Sequence, residues 1–223
     1  PILSRLYTPA QFGVFGAFIA AAAIPGAIAC GRFELGIPTA PADGLRGVLW
    51  LCIAVATGVA AVATGGIAIY WWWVATPLMA LLVPLLFVTI VLTGVANALS
   101  MYLMRHDQFR FASTGVVVRT AVTVIFQVGA ALLWPTSAGL IAGFTLGLVA
   151  QAAMGLYLVH RGEGLGRPQA PEMRWMFSHY RRQVSVDIPS TLLAALSINL
   201  MPFVLQFQYG LRSVGFYSVG QRI

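Results

Sequence analysis

From Gly47 to Met104 the chain contains no charged residue and no histidine. About 20 mostly apolar residues are enough for a helix to cross the roughly 30 Å hydrocarbon core of a membrane, so this stretch has room for two crossings. Only 9% of the 223 residues are charged, whereas a soluble domain carries about 25%. Such a chain cannot cover a surface that faces water. This excludes a soluble globule and a disordered chain, and we expect no nucleic-acid partner despite the net charge of +7.

Six apolar runs are long enough to span a membrane, so we predict an all-α, polytopic transmembrane helix bundle. A capping box, Thr8-Pro9-Ala10-Gln11, opens the first run. Gly65-Gly66, the aromatic cluster Tyr70–Trp73 and Pro77 are expected to divide the uncharged stretch into two spans. The full spans are Phe12–Cys30, the two halves of Gly47–Met104, Phe111–Leu133, Ala138–Val159 and Pro189–Gln208, with the end of an earlier helix at Pro1–Leu6 and a partial span from Val214.

The arginines predict the orientation, because cytoplasmic loops of membrane proteins carry an excess of Lys and Arg. All thirteen basic residues are Arg. Nine of them lie in alternate loops, two lie in the opposite loops, and Arg119 and Arg222 lie inside predicted spans. The side with nine is therefore predicted to be cytoplasmic. Its arginines are Arg32, Arg46, Arg105, Arg110, Arg161, Arg167, Arg174, Arg181 and Arg182, and the opposite loops hold Arg5 and Arg212.

The longest predicted loop, residues 161–187, separates a transmembrane lobe at 1–160 from the start of a second lobe at 188–223. We expect its second half to form a short helix on the inner leaflet against anionic lipids, with a solvated linker as the alternative. Its apolar face consists of Met173, Met176, Phe177, Tyr180 and Val184. Because residue 1 is Pro and the last apolar run stops at Ile223, we also expect the chain to be a fragment.

One predicted span carries a small or amide side chain at every fourth position. A helix face of small residues lets a neighbouring backbone approach closely, and we expect tight helix packing here. Gln151 is the exception, because its amide would suit a hydrated cavity, and we include it among the candidate substrate-binding residues. The stripe consists of Gly139, Gly143, Gly147, Gln151 and Gly155.

Two arginines are predicted to lie deep in the membrane. Arg119 is eight residues past Phe111, and Arg222 is eight residues past Val214. Eight residues of helix span about 12 Å, so each arginine is predicted to lie about 12 Å into the membrane, and the two spans enter from opposite membrane faces. An Arg near the bilayer centre costs about 2.5–3.5 kcal/mol on insertion scales, so such residues usually face a bundle interior or a wet cavity. Snorkelling or a bond to a backbone carbonyl is the alternative. Since a guanidinium binds phosphate through paired N–H donors, both arginines are candidates for holding a diphosphate in one central cavity.

Arg32 and Glu34 form a second candidate site, at the cytoplasmic end of the first span. Their opposite charges allow either an internal ion pair or a role in binding a ligand, and the sequence leaves both open. The six acids are otherwise scattered, and no paired-carboxylate or metalloprotease pattern occurs. We therefore expect a protein that is not an enzyme, without catalytic residues, a metal or a cofactor.

A weak internal repeat relates the two ends of the chain. Each of the two segments follows one helix and opens the next, which suggests two homologous helical lobes. Transporters are often built from such repeats, with the ligand between them. At an offset of 202, Tyr7 matches Tyr209, Phe12 matches Val214, Gly13 matches Gly215 and Phe15 matches Tyr217.

Segments near both ends resemble a known family. Leu3–Gly13 resembles the link between that family's first two helices, and Gly31–Leu35 resembles the pattern after the second helix. Pro189-Ser190, Leu196-Ser197 and Val214–Arg222 resemble its seventh and eighth helices. The family is that of the bacterial polysaccharide biosynthesis proteins, the oligosaccharide-lipid flippases of the multidrug/oligosaccharidyl-lipid/polysaccharide exporter superfamily. The resemblance covers nearly the whole chain but is sharp only toward its ends, and Ala10-Gln11 departs from it where relatives often carry acids.

The resemblance implies a two-lobed bundle in the bacterial inner membrane that flips undecaprenyl-diphosphate-linked oligosaccharide for lipopolysaccharide (O-antigen) or exopolysaccharide synthesis. The polysaccharide assembly machinery would then be a further partner. A multidrug exporter of the same superfamily is the alternative, although cationic drugs would favour buried carboxylates. A membrane polysaccharide polymerase or ligase would be expected to need a sizeable outer loop, and the predicted outer loops are short.

The arginine distribution generates a test of topology. Single cysteines placed in Gly36–Gly44, His106–Arg110 and Gly162–Ser185 should resist a membrane-impermeant thiol reagent in intact cells, because these loops are predicted to be cytoplasmic. A cysteine in the outer hinge Trp134–Ser137 is the control and should react. Labelling of the Gly162–Ser185 loop in intact cells would overturn the orientation.

Overall fold

The computed structural model describes residues 6–40, 44–74, 77–106, 108–133, 136–161 and 170–220, and no strand forms within these ranges. Six helices are long and apolar enough to cross a membrane, which confirms the all-α, polytopic bundle. The helices are α1 (Pro9–Ala27), α2 (Leu45–Val74), α3 (Pro77–Arg105), α4 (Phe109–Leu133), α5 (Ser137–Arg161), α6 (Ala170–Tyr209) and α7 (Leu211–Gly220).

Helix α1 begins as its sequence predicts. The Thr8 hydroxyl accepts from the Gln11 amide, and the Gln11 side chain accepts from the Thr8 amide, so both partners of the capping box are in place. Pro9 occupies the first turn, where its missing N–H costs nothing. The helix ends at Ala27, two residues after Pro25 and three before the predicted end at Cys30.

Helices α2 and α3 divide the uncharged stretch in two, as predicted. Helix α2 ends at Val74 and α3 begins at Pro77, and α2 continues through Gly65-Gly66 without interruption. A glycine inside a helix costs only about 1 kcal/mol relative to alanine, so two of them do not end a strongly apolar helix. The side chains of the aromatic cluster Tyr70–Trp73 lie outside those that the structure describes.

The small-residue stripe of α5 packs closely against neighbouring helices, as predicted. A Cβ added at Gly147 would overlap the Thr123 hydroxyl and lie 2.7 Å from the Arg119 carbonyl oxygen on α4. A Cβ at Gly143 would lie 2.8 Å from Cγ of Gln127, also on α4, and the face of Gly155 meets Leu99 of α3. The stripe therefore brings the α4 and α5 backbones together and seats α3 beside them.

The predicted cytoplasmic helix differs from our expectation. Residues 162–169 lie outside those that the structure describes, and from Ala170 one continuous helix of 40 residues, α6, runs to Tyr209. At about 60 Å it is twice the hydrocarbon thickness, and about its first third, from Ala170 to the start of the candidate span at Val184–Tyr209, lies outside that span. Of its predicted apolar face, Tyr180 and Val184 pack against a folded segment between α1 and α2, and Phe177 contacts Phe33 of that segment while half of its side chain stays exposed.

The stripe leads to a prediction about assembly. Gly147→Ala should destabilise the protein by about 1–3 kcal/mol, because the new methyl group collides with the Arg119 backbone and cannot move away. Gly129→Ala on α4 is the matched control, since nothing lies within 4 Å of its added Cβ. Thermal unfolding of the purified proteins in detergent measures both. Equal unfolding temperatures for the two variants would contradict the close approach of α4 and α5.

Candidate functional site

Residues 28–40, the described part of the chain that follows α1, do not form an α-helix. From Ile28 to Ala40 the chain makes successive tight turns and one 3₁₀ turn, Phe33–Gly36. Two consecutive residues, Gly31 and Arg32, have positive φ angles of 58° and 62°. A left-handed conformation at Arg32 costs of order 1 kcal/mol or more, and surrounding contacts must maintain it. We call residues 28–40 the broken segment.

The broken segment lies alongside membrane-spanning helix. Near its start, Cys30 Sγ donates to the Gly94 carbonyl of α3 at 3.0 Å, and Gly94 is eleven residues, or about 16 Å, from the C-terminal end of α3. Near its end, the Ile37 carbonyl accepts from Arg105, the last residue of α3. Non-helical backbone at this depth is tolerated only where it is buried in protein or lines a cavity. Such breaks often form ligand sites in transporters.

Arg32 and Glu34 come together within this segment. Arg32 Nη1 lies 3.6 Å from Glu34 Oε1, and their side chains are 29% and 6% exposed. Neither group is fully satisfied, because Arg32 Nε and Glu34 Oε2 are buried without a hydrogen-bond partner among the described residues. An ion pair with spare donor and acceptor capacity can bind a polar ligand without being broken. The internal ion pair is thus present, and a ligand role stays a prediction.

The N-terminal part of helix α6 contacts the broken segment. The Phe177 ring lies 5.6 Å from the Phe33 ring, and the Tyr180 hydroxyl lies 3.2 Å from Thr39 Oγ1. The Tyr180 ring covers Gly36, where an added Cβ would lie 3.1 Å from it. Sequence reasoning assigned Phe177 and Tyr180 to a lipid-facing helix and missed this contact. The apolar spacing that marks a face does not tell whether lipid or protein covers it.

Arg119 lies on α4, ten residues or about 15 Å from the start of that helix, and is half-buried. Its guanidinium carbon lies 5.1 Å from the centroid of the Phe144 ring on α5. The Phe144 ring in turn meets Phe15 of α1 edge-on, with centroids 6.2 Å apart. A cation above an aromatic face gains about 0.5–2 kcal/mol, which offsets part of the cost of its depth while leaving its N–H donors for a ligand.

Gln151 lies seven residues past Phe144 on α5, beside Gly115 of α4. Its Oε1 is buried and has no hydrogen-bond partner among the residues that the structure describes. The adjoining cavity has a volume of about 10 Å³, room for about one water molecule. Gln151 therefore lies beside a small cavity between α3, α4 and α5, and its role in binding a substrate stays a prediction.

The structure brings Arg32 to Glu34 but not all five candidates to one place. Arg119 and Gln151 lie on the α4–α5 contact, on helices other than those that flank Arg32. Arg222 lies outside the described residues, and so does its predicted convergence with Arg119.

A contact between α1 and α7 joins the two halves of the predicted repeat. Helix α1 begins at Pro9 and α7 at Leu211, which are equivalent positions at the offset of 202. Gly16 and Ser218 are also equivalent, and a Cβ at Gly16 would lie 3.2 Å from the Ser218 Cβ.

The flanking contacts of this interface also obey the repeat. The same added Cβ at Gly16 would lie 3.5 Å from Val214. At the offset of 202, Gly16 corresponds to Ser218 and Val214 corresponds to Phe12. The Ser218 hydroxyl donates a hydrogen bond of 3.4 Å to the Phe12 carbonyl, so the corresponding pair is also in contact. An interface in which residue i meets j and the equivalent of j meets the equivalent of i is the pattern of a two-fold axis. Gly215 permits it, because an added Cβ there would overlap the Pro9 carbonyl.

Two further observations concern metal ions and cysteines near the site. Among the described residues, no three His, Cys, Asp or Glu side chains are grouped so that they could hold a metal ion. Cys30 and Cys52 are both free and buried, as expected for residues that fill a core.

No family model, no curated protein and no solved structure matches the chain.

Proposed function

We propose that this chain is part of a membrane transporter that flips a lipid-linked, diphosphate-bearing oligosaccharide across the bacterial inner membrane. The observation that carries the proposal is the symmetric contact between α1 and α7. Transporters built from repeats bind their ligand near the midplane, between the repeats, and this contact is where the equivalent segments of the two predicted lobes meet. The resemblance of the same segments to oligosaccharide-lipid flippases supplies the substrate class.

The charges of the described spans favour an anionic substrate. Arg119 lies well inside α4, and the one acid in a candidate span is Asp187, near the start of its span. A guanidinium donates paired hydrogen bonds to phosphate oxygens, and in a low-dielectric site these bonds are stronger than in water. A cationic drug would require carboxylates where these spans carry arginine or apolar side chains, so the multidrug exporter is the weaker alternative.

The two-lobed arrangement suggests how transport would proceed. The α1–α7 contact involves the first turns of both helices, on the side with few arginines, and it would close the space between the lobes on that side. Rocking of one lobe against the other would open this contact and expose a ligand held near Arg119 to the opposite face.

Replacement of Arg119 tests the role of its guanidinium. In the complete protein, Arg119→Ala should reduce rescue of surface polysaccharide about tenfold or more in a strain that lacks its flippase. Arg119→Lys should lose less, because it keeps the charge but not the bidentate fork. Arg110→Ala, which removes an exposed cytoplasmic arginine, is the matched control and should rescue fully. Full rescue by Arg119→Ala at normal protein abundance would reduce Arg119 to a structural role.

A crosslink across the pseudo-two-fold contact tests the proposed motion. Cysteines at Gly16 and Ser218 should form a disulfide, since the two Cβ positions are 3.2 Å apart and need to separate by only a few tenths of an ångström to reach the roughly 3.5–4.5 Å of a disulfide. Oxidation should then stop the synthesis of surface polysaccharide in cells, and a reductant should restore it. Each single-cysteine variant serves as the control for the native thiols. Undiminished synthesis with the crosslink formed would show that the contact does not open during transport.

A further inference from the structure

An apolar groove with a volume of about 790 Å³ lies between α1, α2 and α6. It follows α2 from Val55 to Ile67, twelve residues or about 18 Å, which exceeds half the thickness of the hydrocarbon core. Every described side chain that lines it is apolar. These residues are Ala21, Ile24, Pro25, Ile28, Val55, Gly58, Val59, Val62, Ala63, Ile67 and Leu192.

The lining determines what can fill this groove. Water would find no hydrogen-bond partner among these side chains, and empty apolar space of this size forfeits dispersion contacts along its walls. The three lining helices belong to candidate membrane spans, where the surrounding solvent is lipid hydrocarbon. A long, narrow hydrocarbon chain therefore matches both the chemistry and the length of the groove.

One end of the groove lies next to a cation. Ile28 and Val55 border it, and an added Cβ at Gly31 would lie 3.0 Å from Val55. The next residue is Arg32, whose side chain is partly exposed and whose Nε has no hydrogen-bond partner among the described residues. Arginine is well suited to a phosphate head group, because it donates parallel N–H bonds to phosphate oxygens.

We infer that this groove binds one membrane lipid, with its hydrocarbon chain along α2 and its phosphate head at Arg32. The broken segment explains why the two parts adjoin, because it ends α1 early and brings an arginine to the depth of the chain. The inference rests on the proposed function only for the identity of the natural lipid. Lipid binding itself does not depend on transport.

Photolabelling of the purified complete protein tests the inference. The probe is a phosphatidic acid with a diazirine near the end of one acyl chain, added in detergent, and the labelled residues are read by mass spectrometry. Label is expected on the α2 peptide that contains Gly58–Ile67. Gly58→Leu should reduce it at least fivefold, because Gly58 lines the groove and an added side chain has open space to enter there.

Gly65→Leu is the matched control. It makes the same change on the same helix, also into open space, at a position that does not line the groove, and it should leave labelling unchanged. Absence of label on α2 in the unmodified protein would overturn the inference. Equal loss of label in Gly58→Leu and Gly65→Leu would overturn it as well.

A separate comparison of two lipids tests whether Arg32 binds the phosphate head group. A diacylglycerol with the same diazirine chain lacks the phosphate and should label the unmodified protein several-fold less than the phosphatidic acid. Arg32→Gln should lower labelling by the phosphatidic acid to the diacylglycerol level, while Arg110→Gln should not. Equal labelling by both lipids in the unmodified protein would overturn the role of Arg32 even if Arg32→Gln folds poorly. A protein that labels as expected but fails to rescue polysaccharide would contradict the flippase and leave the groove assigned.

Discussion

The hydrocarbon core of a membrane supplies no hydrogen-bond partners, so every backbone polar group at that depth must be satisfied within the protein. Six long helices meet this requirement through their own ladders. The broken segment is the exception, and its groups turn to one another and to α3, where Gly94 and Arg105 contact it at either end. Phe177 and Tyr180 of helix α6 also contact the broken segment. The position of the Arg32–Glu34 pair and the shape of the adjoining groove both follow from that break.

The apolar hydrocarbon core also explains the surroundings of Arg119 and Arg32, because a charged side chain there needs a compensating contact. Arg119 lies over the Phe144 ring, which attracts its charge without occupying its donors. Arg32 faces a carboxylate whose second oxygen is unsatisfied. Both arrangements lower the cost of placing a guanidinium among apolar helices while leaving N–H groups for an anion. The proposal of a phosphate-bearing lipid substrate rests on this distribution of charge.

Glycines allow a close approach of the backbones at two helix contacts. Gly143 and Gly147 bring the α4 and α5 backbones together. Gly16 and Gly215 do the same for α1 and α7, whose positions correspond in the predicted repeat. In the mechanism proposed above, the α1–α7 contact opens and the α4–α5 contact stays closed.

The sequence by itself determined the class of the protein, because apolar runs without charge have one stable environment and because caps and small-residue stripes act locally. The capping box at Thr8, the six spans and the close face of Gly147 follow from such local rules. Only the tertiary structure decided where α1 ends, that Tyr180 covers Gly36 and that Gln151 adjoins a cavity of one water's size. A pattern of apolar residues predicts that a helix face is shielded from water, but it does not predict whether lipid or another part of the protein covers that face. The partner is selected by packing between segments far apart in the chain, on which local spacing carries no information.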